Sequence, residues 1–214
     1  MSTVLYFVRH GESVTNVDGI FTGQLDFPLS ELGYKQADLL VNYFKDVNID
    51  KIYASDLGRT CATIASTAKE HNLEIIKDKR LREVYAGKWQ GEKFTYIQEN
   101  FNEDYIKWRT EIVDARCTGG ESFKELSERV YQAVLEIINE NQGKTVIVVS
   151  HSNPIKSILL RANILGVPIK ELLVAPPNCS VTKIVCENGK LKLIKKGDIS
   201  HLETIKDEIK QRFA

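Results

Sequence analysis

Hydrophobic runs alternate with amphipathic stretches along most of the chain. Four runs, rich in β-branched and aromatic residues, predict strands: Val4–Val8, Lys51–Ala54, Leu73–Lys77 and Thr145–Val149. Stretches with mostly helical spacing of apolar residues predict helices that begin after Ser30, span Leu57 to about His71, begin after Ser122, and span Ile155–Leu165. Strands that alternate with helices predict a three-layer α/β/α fold with a mostly parallel central sheet, in a single domain over residues 1–214.

Two regions depart from this alternation. Residues 78–121 are the least regular part of the chain, and a connection this long in a compact domain is often a lid or a substrate loop. We therefore interpret them as an irregular insertion on the substrate side, in which residues 88–118 are a candidate lid. Near the C-terminus, Val181–Cys186 and Lys190–Lys195 flank Asn188-Gly189 and predict a β-hairpin.

The C-terminal tail has the spacing of an amphipathic helix. Its apolar positions are Leu202, Ile205, Ile209 and Phe213. We expect this helix to dock on its own domain, and a dimer contact is the alternative, so a monomer and a homodimer both stay open.

Composition and charge narrow the function classes. The 214 residues contain 29 Lys+Arg and 29 Asp+Glu, and a formal net charge of zero argues against a nucleic-acid partner. No apolar run reaches the ~20 residues that span a membrane, and no signal peptide precedes Arg9, so we expect a cytoplasmic protein without a membrane partner. The cysteines form no Cys-x-x-Cys pair, and we expect free thiols at Cys61, Cys117, Cys179 and Cys186.

Chemically active side chains follow three of the predicted strands directly. The segment 9–12 (Arg-His-Gly-Glu) follows the first strand, 55–59 ends in Arg59 after the second, and 151–153 (His-Ser-Asn) follows Thr145–Val149. Because the carboxyl ends of parallel strands meet at one edge of a sheet, two arginines and two histidines should converge there. Arginine binds two phosphate oxygens at once, so this group predicts a phosphate site.

The same residues suit the hydrolysis of a phosphate monoester. Its transition state spreads charge over three oxygens, which fixed positive donors stabilise, and a neutral imidazole nitrogen can attack the phosphorus. A carboxyl group is then needed to protonate the leaving alkoxide. Arg59 also points to function, because a cation in the first turn of a helix is unfavourable unless an anion lies nearby.

The sequence resembles the histidine phosphatase superfamily, in its phosphoglycerate mutase-like branch. The resemblance runs from about residue 4 to residue 165 and rests on ordered blocks: Leu5–Ser13 with Asn16, Gly23–Ser30, Ser55–Thr60, Leu81–Glu83 with Gly87, Gly119–Ser122 and Val148–His151. It implies a metal-independent enzyme without a cofactor, acting on a small phosphorylated metabolite.

The resemblance also implies roles for individual residues. His10 would be the nucleophile that becomes a phosphohistidine, and Glu83 would be the proton donor that later activates water. The phosphate oxygens would be held by Arg9, Arg59 and His151. Other residues expected to line the substrate pocket are Asn16, Thr22, Gly23, Ser152 and Asn153.

Departures from the family pattern favour a phosphatase over its alternatives. Ala86 stands where mutases of this family carry a tyrosine, and the mutase lysine position falls near Phe94. The paired arginines of the mutase insertion have no counterpart between Phe94 and Trp108. A phosphoglycerate mutase and a non-catalytic phospho-ligand sensor remain the alternatives, although a sensor usually lacks the nucleophile or the acid.

Overall fold

The computed structural model describes residues 2–162, 169–172 and 174–211. Its strands are β1 (Ser2–Arg9), β2 (Ile20–Phe21), β3 (Lys51–Ala54), β4 (Ile75–Lys77), β5 (Glu92–Lys93), β6 (Thr145–Ser150), β7 (Val181–Glu187) and β8 (Lys190–Asp198). Its α-helices are α1 (Val14–Val17), α2 (Glu31–Phe44), α3 (Gly58–Glu70), α4 (Phe94–Asn100), α5 (Asn102–Thr110), α6 (Phe123–Glu140), α7 (Ser152–Arg161), α8 (Ile169–Leu172) and α9 (Lys206–Gln211). Short 3-10 helices cover Lys79–Leu81, Gly87–Trp89, Ile112–Asp114 and Ser200–Ile205.

Within the described ranges, six strands form the central sheet, in the order β4-β3-β6-β1-β7-β8. The first four are parallel, and β7 and β8 are antiparallel to their neighbours. β6 lies between β3 and β1, with Ser150 opposite Arg9 and Val149 opposite Ala54. The strand ends that carry the predicted chemistry are therefore neighbours at one edge of the sheet.

Each face of the sheet supports one apolar core, because side chains alternate along a strand. In β1, Leu5 and Phe7 pack into the core that contains α6 and α7. Tyr6 and Val8 pack into the opposite core with α2 and α3. This arrangement is the mostly parallel, three-layer α/β/α fold that the sequence predicts.

The irregular reading of residues 78–121 is wrong in part. The segment contains α4 and α5 and the strand β5, which pairs with β2 in a small antiparallel sheet. Both helices lack an apolar stripe, because Ile97 is the buried residue of α4 and Trp108 that of α5. Helical periodicity in the sequence could not reveal them. Whether this segment closes as a lid stays a prediction.

The tail lies on its own chain, as expected, but its shape differs from a single helix. Leu202 is buried in the core beside α2 and α3, and Ile205 and Ile209 are half-buried against it. A 3-10 helix precedes α9, of which the structure describes six residues, Lys206–Gln211. The predicted Phe213, like residues 163–165 of the helix that follows His151, lies outside the described residues.

The predicted hairpin and the predicted free thiols are both present in the structure. The hairpin is confirmed as β7 and β8, and all four cysteines are free thiols. Within residues 2–162, 169–172 and 174–211, no helix combines the length and the hydrophobicity needed to cross a membrane.

Candidate active site

His10 follows β1 directly and is 5% exposed. Its Nδ1 lies 2.7 Å from the carbonyl oxygen of Gly11. Because a carbonyl only accepts hydrogen bonds, Nδ1 carries the proton and Nε2 keeps its lone pair. Burial lowers the pKa of His10 well below 6.5, and the nearby Arg59 and Arg9 charges lower it further. The imidazole is therefore neutral at physiological pH, the form that can act as a nucleophile.

Gly11 is required by a close approach of two backbones. A Cβ at this position would lie 2.7 Å from the carbonyl oxygen of Gly33 in α2. A Cβ at Gly33 would likewise collide with the carbonyl of Glu12. The two glycines let α2 pack directly against the segment after β1, which fixes the backbone that holds the His10 ring.

His151 follows β6 and lies beside His10, with ring centroids 5.1 Å apart. Its Nε2 is 3.0 Å from the Ser55 hydroxyl, which comes from the end of β3. Its Nδ1 is buried without a hydrogen-bond partner among the described residues. Burial and the Arg59 charge lower the pKa of His151 well below 6.5. A buried nitrogen without a partner next to the nucleophile is a position where a ligand oxygen can be bound.

Both predicted arginines converge on His10. The Arg59 guanidinium is almost fully buried and donates to the carbonyls of Leu25 (2.7 Å) and Gly23 (2.9 Å). Arg9 donates to the carbonyl of Pro176 at 2.6 Å. Burial lowers both pKa values to about 10, so both side chains remain cationic at neutral pH. Each keeps a buried Nε without a partner in the part of the chain that the structure describes.

Arg59 lies in the first turn of α3, as expected, but part of the charge conflict there is resolved within the protein. Both carboxylate oxygens of Asp26 accept a hydrogen bond from the Gly58 N–H at the start of α3, each at 2.9 Å. This carboxylate offsets the positive end of the helix. The position of Arg59 alone is therefore weaker evidence for a bound anion than its buried, unpartnered Nε.

Glu83 lies in the loop that leaves the 3-10 turn Lys79–Leu81, and it is half-buried. Its Oε1 accepts a hydrogen bond from the Val84 N–H at 2.8 Å, and its Oε2 lies 3.4 Å from the N–H of Asn153 at the start of α7. The carboxyl group faces the same cavity as His10. The role of proton donor, expected from the sequence, requires a carboxyl group in the cavity that contains the His10 ring, and Glu83 supplies one.

The loop that carries Glu83 is held by Arg129 of α6. The guanidinium donates to the carbonyls of Arg80, Arg82 and Glu83, each at 2.8 Å. It also pairs with both carboxylate oxygens of Glu121 at 2.7 and 2.8 Å. Since an arginine fork fixes direction as well as distance, Arg129 fixes the backbone on both sides of the acid.

A cavity of about 780 Å³ joins the predicted residues. All of them except His151 line it. We call one part the phosphate end, formed by Arg9, His10, Asn16, Thr22, Gly23, Arg59, Glu83, Ser152 and Asn153. We call the other part the aromatic end, formed by Phe21, Phe94, Tyr105, Trp108 and Ile112.

The family model for the histidine phosphatase superfamily (branch 1) matches residues 5–199. The chain belongs to this superfamily. It is 38% identical to phosphoserine phosphatase 1 of Hydrogenobacter thermophilus, over 72% of this chain and 73% of that protein. It is 32% identical to a probable phosphoglycerate mutase, GpmB, of Escherichia fergusonii, over 93% of this chain and 94% of that protein.

A solved structure agrees with this assignment. Bacillus stearothermophilus YhfR superimposes with a TM-score of 0.86 at 29% identity, over 94% of this chain and 100% of that chain. The predicted family and fold are confirmed, and so is the enzyme class, a histidine phosphatase. The relatives carry different activities in their names, so they do not identify the substrate.

Several residues that build the site escaped the sequence reasoning. Asn178, next to β7, donates from one amide group to the carbonyls of His10 (3.1 Å) and Gly11 (3.3 Å) and to Oδ1 of Asn16 (3.1 Å). No motif marks it, because it acts from a loop distant in sequence. Lys156 does carry a signal in the sequence: it follows Ser152 by four residues, so both lie on one face of α7.

Five aromatic residues are candidates from the sequence for the leaving-group side of the site, although core packing is the better interpretation of each one taken singly: Phe21, Phe27, Tyr85, Trp89 and Trp108. Phe21 and Trp108 line the cavity, whereas Trp89 is fully buried in the core and packs against both of them. Tyr85 and Phe27 do not line the cavity. Two of the five candidates therefore line the cavity, and Trp89 follows the core interpretation.

Proposed function

We propose that this chain hydrolyses small phosphate monoesters without a metal ion, through a covalent phosphohistidine on Nε2 of His10. The observation that carries the proposal is the His10 ring itself. Its Nδ1 donates to the Gly11 carbonyl, and its neutral Nε2 shares the phosphate end of the cavity with the guanidiniums of Arg9 and Arg59 and the carboxyl group of Glu83. A neutral nucleophile surrounded by fixed cations suits attack on a phosphate dianion.

In the first half-reaction, Arg9, Arg59 and His151 bind the phosphate oxygens. Nε2 of His10 attacks the phosphorus, and the bond to the ester oxygen breaks in line. Glu83 donates its proton to the departing alkoxide, which leaves as an alcohol. The Gly11 carbonyl accepts from Nδ1 and stabilises the positive charge that the ring acquires.

In the second half-reaction, the Glu83 carboxylate takes a proton from a water molecule. The hydroxide so formed attacks the phosphorus, and the N–P bond to His10 breaks. Phosphate leaves, and Glu83 is again protonated for the next turnover. Asn16, Thr22, Gly23, Ser152 and Asn153 surround the phosphate and the ester oxygen in this scheme.

The test uses a panel of phosphate monoesters in EDTA. We expect turnover by the wild type and a loss on the order of 10⁴-fold or more for His10→Ala, since removing a nucleophile has effects of this size. An alkaline quench of ³²P-labelled substrate should leave label on His10 in wild type and more of it in Glu83→Gln. Substantial turnover by His10→Ala would contradict the covalent mechanism, and inhibition by EDTA would contradict metal independence.

A phosphoglycerate mutase is the second candidate, because a relative of nearly full length carries that name. Ala86 and Phe94 stand at the positions expected for mutase tyrosine and lysine, and Phe94 contributes an aromatic face to the cavity. Transfer between the 2- and 3-positions of phosphoglycerate that depends on bisphosphoglycerate would favour the mutase. Phosphate binding without turnover of any ester would favour the non-catalytic sensor.

A further inference from the structure

We infer that Lys156 and Arg109 form an anion subsite for the leaving group, so that the preferred substrates are phosphate monoesters carrying a second anionic group. The inference rests on the proposed function, because it concerns the alcohol part of the same substrate. The two side chains come from different elements, α7 and α5, and both line the cavity.

The first argument is the charge balance of the cavity. Among the described residues, its lining carries one carboxyl group, that of Glu83, against five cationic side chains: Arg9, Arg59, Arg109, Lys156 and Lys170. In the proposed mechanism Glu83 is protonated when the ester binds, so a bound phosphate dianion offsets only two of these five positive charges. Cations left without a counter-charge in a partly enclosed site favour a further anion on the ligand.

The second argument is the position of Lys156. It follows Ser152 by one helical turn on α7, and Asn153 at the start of the same helix contacts Glu83. The ammonium therefore lies on the side of the proton donor, where the leaving group must lie. Lys156 makes no hydrogen bond or ion pair with any residue in the described ranges, although it is half-buried.

The charges around Lys156 agree with this position. Burial lowers its pKa to about 8, against the opposing effect of the Glu83 carboxylate. Arg9, Arg109 and Lys196 face it with like charge and lower the pKa further. A half-buried ammonium with like charges around it is poorly solvated, and an anion from the ligand would supply the missing partner.

Arg109 completes the subsite from α5, and its charge acts on Lys156. It follows Tyr105 by four residues, so both lie on one face of α5 and line the aromatic end. The carbon chain of a leaving group would thus contact the apolar side chains of the aromatic end, and its charged substituent would contact the cations. A carboxylate and a second phosphate share this chemistry, and the test separates them.

The experiment compares three esters with one carbon frame. Glycerol 1-phosphate is the reference, called the neutral ester because its leaving group, glycerol, is uncharged. In 3-phosphoglycerate a carboxylate replaces the CH2OH group, and glycerol 1,3-bisphosphate carries a second phosphate. Phosphate release is measured for wild type, Lys156→Met, Lys156→Arg and a surface control, Lys69→Met. Lys69 is exposed near the end of α3, away from the cavity lining.

We expect wild type to prefer at least one anionic ester over glycerol 1-phosphate. Lys156→Met should lower kcat/KM for that ester by roughly 10- to 100-fold, the worth of a hydrogen bond between charged groups, and leave the neutral ester within about 2-fold. Lys156→Arg should keep most of the preference, and Lys69→Met all of it. Whichever anionic ester loses more identifies the anion that the subsite binds.

A pH series adds a readout that a purely structural role would not move. The wild-type preference for the anionic ester should decline as the pH rises through about 8, where Lys156 loses its proton. In Lys156→Arg it should stay constant. Equal losses for all three esters in Lys156→Met, or no wild-type preference, would overturn the inference and leave the phosphatase intact. Absence of turnover of any ester by wild type would instead be a failure of the proposed function.

Discussion

At the phosphate end of the cavity, backbone carbonyls hold the charged groups, whereas at the aromatic end side chains mostly hold one another. His10, Arg9 and Arg59 each donate to main-chain oxygens beside the sheet edge. Phe94 and Phe21, by contrast, pack against each other with ring centroids 5.5 Å apart, and Phe94 is 42% exposed. Fixed donors at the phosphate end suit the phosphate group that all monoesters share. Side chains that can repack at the aromatic end suit leaving groups that differ from one ester to another.

This contrast predicts how substitutions at the two ends should differ. A change at the phosphate end should slow every ester by a similar factor, because the transferred group is the same. A change at the aromatic end should slow some esters and spare others. Single substitutions at each end can test that division.

Among substitutions that leave the nucleophile in place, replacing Arg59 should have the largest effect. We expect Arg59→Met to lower kcat/KM for all esters by roughly 10²- to 10³-fold, the usual cost of losing a fixed donor to the transition-state charge. Steady-state kinetics with an alkyl and an aryl ester will check it. Because the Gly23 and Leu25 carbonyls also lose their donor, thermal unfolding must first establish that the variant folds. A loss confined to one ester would contradict a rigid, shared phosphate end.

Arg129 tests whether the acid at the boundary of the two ends must be held in place. We expect Arg129→Met to lower kcat for an alkyl phosphate by roughly 30-fold, less than the 10²- to 10⁴-fold that general acid catalysis contributes, because the acid is displaced and not removed. The effect on p-nitrophenyl phosphate should be much smaller, because nitrophenolate leaves without a proton. Glu83→Gln should give the same pattern.

The matched control for Arg129 is Arg116→Met. Arg116 forms an exposed ion pair with Glu125 and does not contact the loop of Glu83. It should leave both esters nearly unchanged. An Arg129→Met effect that is equal for alkyl and nitrophenyl esters would indicate a general structural role rather than positioning of the acid.

The buried histidines of the phosphate end predict how stability depends on pH. Burial lowers the pKa values of His10 and His151 well below 6.5. Below pH 6.5 these histidines are therefore protonated in the unfolded chain but remain neutral in the folded chain. The free energy of unfolding is highest above this pH, and it decreases as the pH falls towards the pKa values of the folded state. Each histidine should approach a slope of about 1.4 kcal/mol per pH unit.

Urea unfolding between pH 7.5 and 5 will measure this slope. His201, whose pKa burial also lowers, adds to it in every variant. His10→Gln should reduce the slope by the contribution of one histidine. Inorganic phosphate should increase the free energy of unfolding of the wild type, because we expect it to bind the folded state. An unchanged slope in His10→Gln would contradict a neutral, buried nucleophile.

The phosphate end could be predicted from the sequence because its residues stand at fixed offsets from strands. Val4–Val8 and Thr145–Val149 are apolar enough to be recognised, and parallel strands bring the residues at their carboxyl ends together. The residues that hold this end were not predictable in the same way. Arg129 acts from a helix 46 residues after Glu83, and such a contact exists only once the chain has folded.

The aromatic end was harder to predict for a physical reason. α5 buries little besides Trp108, so its apolar positions show no helical repeat. Aromatic residues in this segment also serve two purposes that look alike in a sequence. Trp89 is in the core, whereas Trp108 has one side on the core and another on the cavity.

Phe94 gives the smallest predicted effect and the sharpest test of a selective aromatic end. It lines the cavity and is 42% exposed, so Phe94→Ala removes apolar contact from a ligand at little cost to the core. Losing part of one aromatic contact, about 1 kcal/mol, should raise KM for a bulky aryl phosphate roughly 5-fold. Glycerol 1-phosphate is too small to use the contact and should be unaffected.

The control is Tyr96→Ala, because Tyr96 is exposed on the same helix but does not line the cavity; this variant should change neither ester. If Phe94→Ala slowed both esters equally, the aromatic end would act on the shared phosphate chemistry, and the division between the two ends would not hold.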